Sequence, residues 1–316
     1  MRAAHLVAGL ALVAFASPIA AQTECAGYTA NAHRVCAAAV DGTRALHPLM
    51  GVLISGGNPT IGSAGAMGLG HAALTLRANA VEVVLPDLSY NGSTATVPAG
   101  QKFFAPAPLV EGALGLYKGM SGGLLALDLL GSAQLLPTNQ IDNLTVDGSA
   151  RRIGSIALGV GYGARIGLLR EMGPLPAVSV SVMRRDIPRI TYGDVPAGDA
   201  YSYGLDLHAT NLRLVASKQL LILGVAAGLG WDRYTGNAVI QFEDPITLTP
   251  QPAIPVKLSS SRGLAFVNAG LNLSVLRLTG EVGYQTGKDQ NLSTSFEDFD
   301  TTKGKVFAGL GLRMGF

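Results

Sequence analysis

Charge is scarce in this chain. Only 14% of its 316 residues are Asp, Glu, Lys or Arg, against 48% hydrophobic, and the mean hydropathy is +0.33. A soluble domain averages about 25% charged residues, so the composition is too apolar for an ordinary soluble protein. Long apolar runs are missing too. Beyond the N-terminus the longest is Leu220 to Leu229, about half of the roughly 20 residues that a spanning helix needs. That excludes a helical membrane protein. An apolar chain without spanning helices has one other way to satisfy its backbone in lipid, a closed β-barrel.

Other shortages narrow the function. The net charge of +2 lacks the basic excess of a nucleic-acid surface, so no nucleic-acid partner is expected. Two cysteines and five histidines form no Cys/His metal cluster in the sequence. Glycine is abundant at 41 residues but follows no G-X-Y period, which excludes collagen. Its runs fall within strand-like segments rather than before helices, so no phosphate-binding loop and no cofactor are expected. Aromatics make up only 6%, leaving Tyr162, Trp231 and Tyr284 as candidates for sparse interfacial girdles.

The first residues read as an export signal. Arg2 supplies the positive start, Leu6 to Phe15 the apolar core, and Ser17, Pro18, Ala20 and Ala21 the small-residue cleavage region. Residues 1–21 are therefore expected to be removed, leaving Gln22 first. Cys25 and Cys36 follow at once. In an oxidising compartment they are expected to pair, and the alternative is two small buried thiols. Eleven residues of continuous helix rise about 16 Å, beyond disulfide reach, so pairing requires the chain to fold back near Gly27 or Asn31.

Residues 22–67 form an Ala-rich, partly helical block that Pro48 is expected to interrupt, ending in the turn signal Ser55-Gly56-Gly57-Asn58-Pro59. From residue 68 to 316 the polarity alternates with period two. Ile156, Leu158, Val160, Tyr162, Ala164, Ile166 and Leu168 line one face of the clearest segment, and Ala157, Gly159, Gly161, Gly163, Arg165 and Gly167 the other. Ten such segments can be drawn, with an added hairpin in 88–105 giving twelve. Long connections near 86–106, 137–151, 187–200, 236–260 and 288–302 alternate with short ones near 119–122, 169–175, 217–219 and 273–275. Bacterial outer-membrane barrels have an even strand number, short periplasmic turns and long extracellular loops. The expected fold is an all-β, closed antiparallel transmembrane barrel with a small N-terminal segment that is either periplasmic or a plug.

The alternation assigns Arg77, Glu111, Asp128, Arg165, Asp206, His208, Arg277, Glu281, Lys305 and Arg313 to the lumen. The His208 segment places Tyr203, Leu205, Leu207 and Ala209 outward, with a phase change, and so a bulge, at Asn211. Such charges either pair across a narrow lumen or line a polar conduit. Glycines on the inner faces of three segments leave room for a plug or a small molecule, or relieve curvature in a small barrel.

The ending Leu310-Gly311-Leu312-Arg313-Met314-Gly315-Phe316 resembles the terminal strand of Gram-negative outer-membrane proteins. The resemblance implies an outer-membrane location among lipid and lipopolysaccharide, and recognition of Phe316 by the barrel-assembly machinery. The N-terminal block with Gly57-Asn58-Pro59 is faintly similar to the hatch of the long-chain fatty-acid transporter family, whose barrels pass hydrophobic molecules past a plug. Asp206-Leu207-His208 resembles the Asp–His pair of omptin proteases. Those enzymes need a second, facing acidic pair, and the only Asp-x-Asp here is Asp298-Phe299-Asp300, in the last loop rather than the first. The expected function is passive transport of small or hydrophobic solutes, not catalysis. A closed barrel acting through its extracellular loops is the alternative.

Overall fold

In a computed structural model the described residues are 23–28, 30–120, 124–137, 143–154, 156–273 and 275–316. The expected export signal and the start at Gln22 lie outside them. One helix, α1 (Ala30–Ser55), precedes ten long strands: β1 (Ala72–Pro86), β2 (Ala99–Tyr117), β3 (Ala126–Pro137), β4 (Ile156–Leu169), β5 (Ala177–Tyr192), β6 (Tyr201–Leu220), β7 (Leu223–Phe242), β8 (Ile254–Leu273), β9 (Leu276–Gln285) and β10 (Lys305–Gly315). Each pairs antiparallel with its sequence neighbour, and β10 returns to pair with β1, from Ala73↔Gly315 to Val81↔Phe307. The sheet therefore closes on itself around its circumference. Phe316 completes the seam: its N–H donates to the Ala72 carbonyl at 2.8 Å, and its carbonyl accepts from Ala72 N–H at 3.1 Å.

Alternation dictates what each face meets. Leu76, Leu129, Tyr162, Leu229, Val267, Val282 and Leu310 are all exposed on the outer wall. A belt of this kind is too apolar and continuous for water and suits lipid. Tyr162, Trp231 and Tyr284 are exposed on the same wall.

The region 88–105 adds no hairpin to the barrel. β2 simply starts at Ala99, and the two-residue strand Thr96–Val97 pairs in parallel with Ser295–Phe296 in a separate small sheet. The strands are also longer than lipid requires. β6, β7 and β8 each run 20 residues, where about 9–11 cross a bilayer. Their far halves stand beyond the apolar belt, at the end of the barrel that carries the long loops.

In that outer half the polarity reverses, which corrects the expectation for β6. The β6–β7 register is constant along both strands, so there is no bulge at Asn211. Tyr203, Leu205, Leu207 and Ala209 are buried on the inner face, in line with Asn211 and Arg213. Asp206 and His208 share the other face with exposed Leu212 and Leu214, so they stand on the outer wall and do not line the lumen. The cause is α1, which fills the outer half of the lumen and makes an apolar inner wall favourable there.

Nineteen of the 26 residues of α1 are buried, on all its faces. A helix that is apolar all round belongs in a core. Here the core is the barrel, with Val81, Val83, Leu85, Tyr203, Ile240 and Phe242 among the wall residues in the same cluster. The helix does not stop at Pro48 but runs through it. Proline removes one backbone donor, and packing on every side holds the helix across that gap.

Candidate functional site

The lumen is filled by two pieces of one segment with opposite chemistries. α1 enters from the long-loop end. Arg34 donates to the Gly92 carbonyl at 3.0 Å, and Asp41 accepts from the N–H groups of Ser293 and Thr294, each at 2.8 Å. Burial pushes the Asp41 carboxyl up, against those hydrogen bonds, which pull it down. Cys25 and Cys36 form a disulfide with Cα atoms 5.8 Å apart. The chain folds back through a turn over 24–27, where Ala26 N–H meets the Thr23 carbonyl and Tyr28 N–H the Cys25 carbonyl, before α1 begins. Tyr28 then packs edge-on against Phe242.

α1 ends at Ser55. Gly56 follows with φ +56, and its N–H donates to the Val52 carbonyl at 2.9 Å, a C-terminal cap that favours glycine. From there to Met67 the chain is irregular, and its backbone polar groups need partners that a helix would have supplied itself. The wall provides them. The Glu281 carboxylate accepts from Gly57 and Asn58 N–H, both at 2.8 Å. Arg77 donates to the Asn58 carbonyl at 2.6 Å, and Arg213 to the Gly57 and Gly56 carbonyls at 2.7 and 3.0 Å. Asn268 accepts from Gly62 N–H at 3.1 Å, Ser217 from Ala64 N–H at 2.8 Å, and Asp128 from Met67 N–H at 3.1 Å.

The same side chains neutralise one another. Arg77 pairs with Glu281 and lies 3.6 Å from Glu111, which Arg185 reaches at 3.1 Å. Arg165 meets Asp128 at 2.6 Å, and Arg213 meets Asp232 at 2.5 Å. All of these groups are buried. A buried charge is tolerable only when paired and hydrogen-bonded.

Of the residues assigned to the lumen, Arg77, Glu111, Asp128, Arg165 and Glu281 meet in this network. Arg277 and Arg313 face inward farther toward the short-turn end. Lys305 stands at the outer end of β10, over the Phe299 ring. Asp206 and His208 do not join. His208 Nδ1 lies 2.5 Å from Asp186, Asp206 Oδ2 lies 3.8 Å from Arg189, and both pairs are on the outer wall. Asp298 pairs with Lys102 and Asp300 with Lys303, so neither approaches His208 as a facing acid pair. Sequence reasoning missed Arg185, Arg213, Asp232 and Asn58. Arg213 was findable, because it alternates with the lipid-facing Leu212 and Leu214.

The inner-wall glycines make room mostly for large side chains of the next strand. A Cβ at Gly161 would strike Arg185, at Gly230 Arg213, and at Gly228 Phe266. At Gly311 it would strike Ile61 of the lumenal segment instead. Gly311 thus makes room for the plug, while Gly161, Gly228 and Gly230 accommodate side chains of the wall itself, a role neither expectation foresaw.

One apolar cavity of about 140 Å³ remains between α1 and the wall, lined by Leu49, Leu53, Val83, Phe103, Ile187 and Tyr203 among others. It also touches Pro106 on β2. Among the described residues β2 pairs with β3 only from Leu109 onward, so its outer half has no ladder partner among them on that side. Pro106 and Pro108 sit on this edge, where a missing N–H leaves no ladder bond unmade. His47 is buried nearby, edge-on to Tyr234, and burial holds its imidazole down to about 4.

No family model matches the chain, and no curated protein matches it. Several solved outer-membrane barrels are similar in fold. The translocator domain of the autotransporter NalP from Neisseria meningitidis is 12% identical, with 88% of this chain and 99% of that one covered and a TM-score of 0.41. The outer membrane protease OmpT from Escherichia coli is 10% identical, with 78% and 96% covered and a TM-score of 0.39. The toluene transporter TbuX from Ralstonia pickettii is 11% identical, with 84% and 92% covered and a TM-score of 0.29.

Proposed function

We propose that this chain is a plugged barrel of a Gram-negative outer membrane that passes small hydrophobic solutes. Residues 22–67 act as the plug, and Phe316 is the element that barrel-assembly machinery recognises. The observation that carries the reading is the apolar cavity between α1 and the wall. An apolar cavity near 150 Å³ stays dry and takes a guest the size of benzene. The cavity of about 140 Å³ suits such a solute. The edge of β2 beside it, without a ladder partner among the described residues, offers a way in that leaves the charged clamp on 56–67 intact. No covalent step is involved.

The test is solute-dependent stabilisation and vesicle uptake with toluene as the probe. Wild-type protein is expected to gain thermal stability with toluene, and Leu53→Trp, which fills the cavity, to lose both the gain and the uptake. Equal behaviour of the two proteins overturns the reading. A second reading, a shut barrel acting through its loops, is favoured by the density of bonds on 56–67. It predicts neither uptake nor single-channel current from either protein.

A further inference from the structure

The inner-wall arginines fall into two classes. Arg77, Arg165, Arg185 and Arg213 each hold a carboxylate. Arg262, Arg277 and Arg313 hold none among the described residues. Arg262 stands by itself on β8, whereas Arg277 and Arg313 are direct cross-strand partners between β9 and β10, on the inward face. Like charges placed opposite each other on one face of a sheet repel.

Arg277 bonds only neutral oxygens: Asn272 Oδ1, the Gly62 carbonyl at 2.9 Å and Gln219 Oε1 at 3.3 Å. Arg313 has a buried Nη1 with no hydrogen-bond partner. Carboxylates that could answer are engaged. Asp128 is taken by Arg165 and by Met67 N–H, Glu171 by Lys218 at 3.3 Å and by Gln219 N–H at 3.1 Å, and Glu111 by Arg185 at 3.1 Å, its second oxygen lying 3.6 Å from Arg77 without a hydrogen bond. Two guanidinium forks without an acid, one with a buried unmade bond, are the donor half of an oxyanion site.

We propose that Arg277 and Arg313 bind a small oxyanion, phosphate or carboxylate, at the short-turn end of the lumen beside Gly62. The site is distinct from the apolar cavity and does not depend on the transport reading. Both side chains face inward, so the anion arrives from solution rather than from a lipid headgroup, whose phosphate the wall would keep out.

The experiment is calorimetric titration of the folded full chain in a phosphate-free maltoside detergent, with inorganic phosphate as the probe and chloride at matched ionic strength as the control. Wild type is expected to bind phosphate saturably. Arg313→Gln and Arg277→Gln are each expected to weaken it at least about tenfold, the loss of one charge-assisted hydrogen bond. Should Arg313→Gln fail to fold, as read by heat-modifiable gel mobility, Arg313→Lys keeps the charge without the fork and is expected to bind more weakly than wild type. No phosphate-specific heat in wild type, equal affinity in the variants, or binding only when phospholipid is added would each overturn the assignment.

Discussion

The outer and inner halves of the lumen are filled by the same short segment, yet their walls are built from opposite residues. Around α1 the wall is Val, Leu, Ile, Tyr and Phe; around 56–67 it is Arg, Glu, Asp and Asn. The backbone explains the contrast. A helix satisfies its own amides, so its neighbours need only exclude water. An irregular stretch leaves donors and acceptors bare, and in a buried site each must find a partner. Charge in this barrel therefore follows the loss of helical hydrogen bonding.

The largest expected effect tests the charged half. Glu281→Ala removes the acceptor of two plug amides and the nearer carboxylate of Arg77, which keeps only Glu111 at 3.6 Å. Breaking a buried pair in this way costs about 3 kcal/mol. The thermal midpoint should fall, and protease should reach 56–67. A matching loss from a helix-facing substitution such as Val83→Ala would break the distinction between the halves.

Acid should act on the helical half. The folded protein keeps His47 neutral down to about pH 4, whereas an unfolded histidine takes up its proton near 6.5. The stabilising contribution is full above pH 6.5 and is lost as pH falls toward 4, about 3 kcal/mol in total. Asp41, whose carboxyl is raised, runs in the opposite sense. Comparing thermal midpoints of wild type and His47→Gln across pH 7 to 4 isolates the histidine. An identical pH dependence would remove it from the account.

The disulfide closes 11 residues at the outer tip of the helix. Replacing Cys25 and Cys36 by Ser should lower stability by about 2–3 kcal/mol, read by denaturant midpoint. The loss should be confined to the outer half, with amide exchange in 56–67 unchanged. The smallest effect belongs to the outer wall. His208→Ala breaks a half-exposed pair with Asp186 and should change stability by under about 1 kcal/mol, with single-channel current unaltered.

The two halves also differ in how far they could be read from the sequence. Within the bilayer, lipid fixes the outer face as apolar, so β4 with Tyr162, Ile166 and Leu168 was legible residue by residue. Above the bilayer that rule lapses, and the apolar face follows α1 inward. This is why alternation alone points Tyr203, Leu205 and Leu207 outward and Asp206 and His208 inward. No local pattern distinguishes a strand facing lipid from one facing a lumenal helix. The clamp was half legible for a related reason. Period two gives the face of Arg77, Asp128 and Glu281, but which backbone groups they bind depends on a turn more than 200 residues away in sequence from Glu281.

The direction of α1 constrains how the molecule is made. The chain passes beneath the long loops at Tyr28, runs down the axis, and reaches the opposite rim at Ala72, where the first strand starts and the last one ends. A ring that closed first would have to be threaded afterwards by a bulky, disulfide-knotted end. Chains seldom thread closed loops. Wrapping the ten strands around a segment already in place is therefore the expected order, with residues 30–67 serving as a mandrel for the cylinder.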